Sequence, residues 1–381
     1  MRILTVDIGT GTQDVFLYDS NTNIENGYKL ILPSPTMLVR WQIQECTRNH
    51  QAIVLYGRMM GGGPNQWAAQ AHIKQGLAVY ATPEAAQSFN DDLAVIEKMG
   101  IKVLSEDEIR NLPADVRRIE MVDFDFEALK STFERFGIKL DDLAAVGIAV
   151  FDHGDAPPEI SDRKFRFDYL DKRIREENRL SAFAYPSDHI PQIMTRLQSV
   201  VDSAKDVEAP LVVMDSAPAA VLGALYDPKL AGQREMLAAN IGNLHTLAFR
   251  LGEDGIEGLF EHHTGLMDQA KLDGLLEKLA DGTLSYQDIF SDHGHGALVY
   301  RTKPMNLKKD GHSVVITGPR RSLMNGSSLN PYFASPFGDM MLSGCFGLLS
   351  AIGDILPDLA APIQQSLMGN RGASVSPWEV Y

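Results

Sequence analysis

The sequence predicts an α/β protein built from two related lobes. Three observations carry that prediction: a length of 381 residues, apolar runs that alternate with helically spaced segments, and an internal echo at a spacing of 233 positions. The length suits two or three domains of roughly 100 to 200 residues each. With 44% apolar and 22% charged residues the composition is ordinary for a globular chain, so a buried core is expected.

The opening reads as a hairpin. Arg2–Val6 is an apolar run, Asp7–Thr12 a Gly/Thr turn, Val15–Tyr18 a second strand, and Tyr28–Leu32 a third. From Ala52 to Met214 the apolar runs Ala52–Tyr56, Leu77–Tyr80, Ala145–Phe151 and Leu211–Met214 are separated by helically spaced segments such as Phe126–Phe136 and Ile190–Val201. Strands alternating with helices predict a largely parallel sheet. Ala217–Leu225 then reads as a helix stopped by Asp227-Pro228. Next comes the echo, in which Asp7-Ile8-Gly9 aligns with Asn240-Ile241-Gly242 and Phe16 with Phe249. Either the match is chance, or the fold is duplicated, with one lobe over 1–215 and the other over 216–381.

Subtracting 50 Asp and Glu from 35 Lys and Arg leaves −15. A broad grip on nucleic acid or an anionic membrane needs a basic footprint, so neither is expected as a partner. The most apolar uncharged stretch, Met340–Gly353, has 14 residues, short of the roughly 18 that suggest a span. Cys46 and Cys345 lie 299 positions apart in no Cys-x-x-Cys pattern, which fits a soluble protein of the reducing cytoplasm.

The first turn carries chemistry. In Asp7-Ile8-Gly9-Thr10-Gly11-Thr12-Gln13-Asp14 the glycines allow close backbone approach, the threonines supply hydroxyls, and successive amides can converge on an anion. No Gly-Lys-Ser/Thr follows, so this is not a P-loop. It runs into a strand, so it is not a dinucleotide fingerprint either. Asp7 at a strand end suits a magnesium ion held through its water shell. An ordinary hairpin turn is the plain alternative.

These residues resemble the first phosphate motif of the actin, heat-shock chaperone and sugar-kinase superfamily. Other motifs of that superfamily follow in order. Asn240-Ile241-Gly242-Asn243-Leu244-His245-Thr246 resembles the second phosphate motif, and Asp215-Ser216-Ala217-Pro218-Ala219-Ala220-Val221-Leu222-Gly223 the first connecting helix. Val314-Val315-Ile316-Thr317-Gly318-Pro319 resembles the adenosine motif, and Gly338–Gly347 the second connecting helix. The resemblance implies two ribonuclease-H-like lobes in an actin-like ATPase fold, with ATP and Mg2+ in the cleft between them. It assigns nucleotide contacts to Gly9, Thr10, Gly11, Thr12, Gln13, Asn240, Gly242, Asn243, His245, Thr246, Gly318 and Pro319, and the metal to Asp7. Two positions depart from the pattern: Asn240 where an aspartate is common, and Pro319 where a second glycine is common. At finer grain the whole chain resembles a family labelled pyruvate formate-lyase activating protein. That label conflicts with the residues, because radical activation needs three closely spaced cysteines for a four-iron cluster.

Further candidates lie at strand ends. Asp152 and Asp155, in Phe151-Asp152-His153-Gly154-Asp155, follow an apolar strand where open α/β sheets place ligands; either can serve as a general base, or the segment is a polar turn. Asp215 is either a catalytic carboxylate or a helix cap. His153, His262-His263 and His293-Gly294-His295 form three tight groups beside aspartates, which read as loop histidines or as parts of a composite metal site. Gly61-Gly62-Gly63 before a helix is a substrate contact or a flexible connection, and Pro319-Arg320-Arg321-Ser322 a base-stacking or solvated basic spot. The leading expectation is an ATP- and magnesium-dependent phosphotransferase or ATPase with Asp7 organising magnesium and Asp152 or Asp215 as candidate base, acting on a small-molecule or protein substrate. The alternatives are a nucleotide-gated accessory protein and a His/Asp metal-dependent hydrolase.

Overall fold

The computed structural model describes residues 1–157, 159–307, 312–369 and 377–379. Strands β1 (Arg2–Ile8) and β2 (Thr12–Asp19) form the expected hairpin, with Val6 opposite Val15 and Asp7 opposite Asp14. Antiparallel β3 (Tyr28–Pro33) extends it. Helix α1 (Pro35–Arg48) then starts at Ser34, whose hydroxyl accepts the Met37 N–H, with Pro35 fitting the first turn, where no N–H is needed.

The chain next builds β4 (Ile53–Gly57), α2 (Pro64–Lys74), β5 (Val79–Ala81), α3 (Pro83–Ala86), α4 (Leu93–Lys98), β6 (Ile101–Val103), α5 (Glu106–Arg110) and β7 (Arg117–Met121). These strands form a parallel sheet of their own, in the order β6-β5-β4-β7. The expectation of one parallel sheet over 52–214 is therefore corrected. The apolar faces of α1 and α2, including Val39, Ile43, Ala68 and Ala69, close a separate core over Ile53, Leu55, Val79 and Ile119. An inserted domain results.

After α6 (Phe126–Glu134) the first sheet resumes with β8 (Leu143–Val150), α7 (Asp162–Glu176), β9 (Ala184–Pro186), α8 (Thr195–Ser203) and β10 (Leu211–Asp215). Its order is β3-β2-β1-β8-β10-β9, with β1, β8 and β10 parallel. Those three strands are covered on both faces, which explains their nearly continuous apolar sequences. The helix expected over 190–201 begins only at Thr195. Pro191 leads a turn closed by the Met194 N–H, and the carboxylate of Asp152 caps the helix by accepting the Leu197 N–H at 2.9 Å.

Helix α9 (Ser216–Ala224) crosses to the second lobe, which contains β11 (Met236–Ile241), β12 (His245–Gly252), β13 (Gly255–His263), α10 (Gln269–Asp281), α11 (Tyr286–Phe290), β14 (Gly296–Val299), β15 (Val314–Thr317) and β16 (Tyr332–Phe333). The order β14-β13-β12-β11-β15-β16 repeats the first sheet's plan of an antiparallel meander continued by a parallel strand. The internal echo holds residue by residue. Phe249 pairs with Ala238 as Phe16 pairs with Thr5, and Gly242 N–H bonds the His245 carbonyl as Gly9 N–H bonds that of Thr12, both at 2.9 Å. The protein thus has the two-lobed, ribonuclease-H-like α/β architecture.

Helices α12 (Ser343–Ile355) and α13 (Pro357–Leu367) return to the first sheet, where Phe346, Leu349 and Ile352 pack with Ile3, Phe16 and Met214. On the way α12 crosses α9 in backbone contact. A methyl group on Gly223 would lie 1.7 Å from the Ser343 carbonyl oxygen, and one on Gly347 1.9 Å from that of Ala219. Cys46 and Cys345 are both buried and unpaired. Among the described residues, no helix is long and apolar enough to cross a membrane.

Candidate functional site

The repeated hairpins bring their turns face to face across the interlobe cleft. A methyl on Gly11 would come within 2.5 Å of the Asn243 amide nitrogen. Gly9, Thr10 and Thr12 line one wall, Asn240, Gly242, Asn243 and His245 the other, and Gly318 and Pro319 the end beyond β15. Two expected contacts point elsewhere. Gln13 donates to the Pro33 carbonyl at the sheet edge, and buried Thr246 shares a 2.9 Å hydrogen bond with Thr264. Arg321 donates to the Ala334 carbonyl.

Asp7 and Asp14 stand side by side on the hairpin, both lining the cleft and both buried. Asp7 accepts a 2.6 Å hydrogen bond from the Ser216 hydroxyl, and its other oxygen rests against Gly344 at the start of α12. Among the described residues, Asp14 Oδ1 has no hydrogen-bond partner. Burial pushes the Asp7 carboxyl up to about 7, helped by the charge of Asp215. Burial and then the charge of Asp7 push Asp14 up to about 8. Two crowded carboxyls with an orphaned oxygen fit a divalent cation, whose charge would reverse both shifts. Sequence reading left Asp14 out of the candidate metal site by treating it as strand. The signal was present in the hairpin register, and Leu247 at the matching place in the second hairpin shows that only one lobe carries the pair.

A stability effect follows. An unfolded aspartate ionises near 3.8, whereas folded Asp14 holds its proton to about 8, so the native state binds the extra proton across that interval. Stability is therefore lost as pH rises through it. We expect the unfolding free energy without divalent cations, followed through the thermal midpoint, to fall between about pH 4 and about pH 8 by a few kcal/mol at most. Magnesium should restore it at the upper end, and Asp14→Asn should flatten the slope; a slope unchanged in that variant would refute the assignment.

Behind the cleft lies a buried ion network absent from the sequence reading. Arg166, on α7, donates to Asp215 at 2.6 Å, to Glu261 at 2.8 Å and to the Asp152 carbonyl at 2.7 Å, with its guanidinium 3.9 Å over the Phe151 ring. It joins the two lobes. Arg196, on α8, grips Asp123 through two nitrogens at 2.7 and 3.0 Å and donates to the Phe151 carbonyl, while Asp123 accepts the Gly61 N–H. Asp215 also caps α9 by accepting the Ala217 N–H. Asp152 accepts main-chain amides on both oxygens, from Gly154 and Leu197.

A second cavity adjoins the cleft, between Gly61, Gly62 and Gly63 of the inserted domain and Phe151, His153 and Arg196 of the first lobe. Thr10, Phe151, Arg196, Leu244 and His245 line both spaces. Asp91 also lines it, and burial together with the charges of Asp155, Asp162 and Asp152 pushes its carboxyl up to about 6. Of the histidine groups, His262 turns away to Asp292 at 3.1 Å. His153, His263 and His295 instead gather around His245 of the second turn, with ring centres 4.9 to 5.7 Å apart in stacked, tilted and edge-on pairs.

No curated protein is similar to the sequence. Among solved structures, the activator of the 2-hydroxyisocaproyl-CoA dehydratase from Clostridium difficile, with bound ADPNP, aligns over 99% of this chain and 100% of its own at 9% identity and a TM-score of 0.33. The ROK hexokinase from Thermus thermophilus aligns over 67% of this chain at 10% identity and a TM-score of 0.24, and a propionate kinase from Francisella tularensis over 74% at 10% and 0.26. The chain spans about half of the hexokinase, 47% of its length, and 60% of the propionate kinase. The fold stands on strand order and register, and kinship on the sequence itself. A family model described as "Putative pyruvate format-lyase activating enzyme (DUF1786)" matches residues 60–323, more than half of the chain, and the chain belongs to that family.

Proposed function

We propose that the chain binds ATP with Mg2+ in the interlobe cleft and transfers or hydrolyses the terminal phosphate. The observation that carries this reading is the pair of facing turns beside Asp7 and Asp14, a phosphate cradle next to a cation seat. Gly9, Thr10, Gly11 and Thr12 with Gly242, Asn243 and His245 would hold phosphates. Gly318 and Pro319 would meet the adenosine. Bound magnesium would supply charge neutralisation, and catalysis would rest on positioning. A substrate in the second cavity meets the phosphate end at the shared wall of Thr10 and His245. Asp91, its carboxyl raised to about 6 and mostly ionised at neutrality, is the carboxylate there suited to take a proton. Asp152 and Asp215, with their oxygens engaged, act by holding α8 and Arg166 in place. The radical activation named in the family's description is not part of this reading, because this chain holds two cysteines, 299 positions apart.

The second reading is a nucleotide-gated accessory protein, and Asn240 favours it. An uncharged amide lines the cleft at the place equivalent to Asp7 and cannot act as a base. Calorimetry with millimolar ATP should give heat that depends on magnesium; no binding of any purine nucleotide would end both readings. Turnover separates them. In a phosphotransferase or ATPase, Asp91→Asn keeps ATP affinity and loses turnover. In an accessory protein, wild-type turnover is already negligible and Asn240→Asp raises it.

A further inference from the structure

We propose that His153, His245 and His295 form a binding site for a borderline-soft divalent metal such as zinc, at the junction of the two lobes and distinct from the Asp7/Asp14 seat. The proposal does not require a bound nucleotide, and it shares His245 with the proposed phosphate cradle. The three residues come from separate segments: the loop after β8, the first residue of β12, and the residue before β14. Their donor nitrogens nevertheless lie within 4.8 Å of one another.

Three features point to a metal. First, Nε2 of His153 and Nε2 of His295 are 3.2 Å apart. Two imidazole nitrogens bound at 2.0–2.1 Å to one tetrahedral ion sit about 3.3 Å apart, so these rings already have the spacing of a ligand pair. Second, His295 is fully enclosed and, among the described residues, its Nδ1 has no hydrogen-bond partner; Oε1 of buried Glu261, 3.5 Å away, lacks one there too. A carboxylate behind the distal nitrogen of a histidine is the usual support of a metal-bound imidazole, fixing its tautomer and aiming the other nitrogen at the ion. Third, the surrounding buried network is short of positive charge. Among the described residues, Asp215 and Glu261 pair with Arg166 and Asp123 with Arg196, while the carboxyl of Asp152 is held by main-chain amides, so four buried carboxyls stand with two guanidiniums. A dication held by neutral imidazoles supplies the missing charge.

His153 and His245 also line the second cavity. Three protein ligands beside a cavity leave a fourth position for an oxygen of water or substrate, the arrangement of a reactive rather than a purely structural zinc site. His263 lies against His245 and His295 as a neighbouring ring.

The test uses the full chain, without an affinity tag, stripped by chelator and titrated with Co2+ alone. One equivalent should bind at micromolar concentration with the strong visible bands of a low-coordinate ion, and Zn2+ should displace it. His153→Gln and His295→Gln should each weaken binding by about 100-fold or more, whereas exposed His189→Ala should leave it unchanged. The cobalt-loaded wild type should also show three hyperfine-shifted, exchangeable imidazole N–H resonances, a readout that needs no variant to fold. A wild type that takes up no cobalt or zinc, a weak octahedral-type spectrum, or unaltered binding in the His153→Gln/His295→Gln double variant would overturn the site and leave a hydrogen-bonded pair of neutral imidazoles.

Discussion

Asp7→Ala is expected to remove magnesium-dependent ATP binding while the protein stays folded. Asp7 lies at the end of a strand, facing the cleft, and the buried neighbour Asp14 already repels its charge, so losing the carboxyl costs the fold little. The cation loses more. Removing one of two close carboxylates should weaken metal-dependent affinity by about 3 kcal/mol, roughly 100-fold. Asp14→Asn should act in the same direction. Titration calorimetry with and without magnesium, alongside circular dichroism, checks both; a folded Asp7→Ala protein with wild-type affinity would show the hairpin to be an ordinary turn.

The second large effect belongs to the crossing of α9 and α12. A side chain at Gly347 or Gly223 would occupy the space of a backbone carbonyl, and backbone cannot step aside as a flexible side chain can. Gly347→Val should therefore force the helices apart and lower stability by about 3 kcal/mol or more. The damage should reach the ligand as well, because α12 begins at the Asp7 carboxyl and runs through the first lobe's core. A wild-type urea midpoint in this variant would mean that the helices pass each other more loosely than the backbone distances indicate.

Much of the fold was legible because its signals are local. Gly/Thr turns between apolar runs gave the hairpins, and a 233-residue echo of four positions gave the duplication, down to the pairing of Phe16 and Phe249 with their neighbours. Sheet membership was not legible. Nothing within Ile53–Gly57 distinguishes a strand of the inserted sheet from one beside β1, since the choice is made by partners far along the chain. The site divided in the same way. The two turns that face the cleft are contiguous in sequence and were read, with Gln13 and Thr246 assigned to the cleft from motif position although their side chains point away from it. Arg166 sits in the strongly charged helix Asp162–Glu176, where one more arginine carries no mark of burial, yet it is enclosed because Asp215 at the end of β10, Glu261 on β13 and the Asp152 carbonyl in the loop after β8 converge on it. The histidines were seen as separate groups, and only the meeting of the lobes makes them one cluster.

The wall shared by the two cavities ties their occupants together thermodynamically. Thr10, Phe151, Arg196, Leu244 and His245 face both spaces, so any rearrangement of these side chains by a guest on one side is felt on the other. Linkage then makes the influence mutual: whatever factor a nucleotide imposes on affinity in the second cavity, the ligand of that cavity imposes on the nucleotide. If the proposed nucleotide occupies the cleft, the ligand of the second cavity can thus be sought through it, by screening for compounds that change nucleotide affinity.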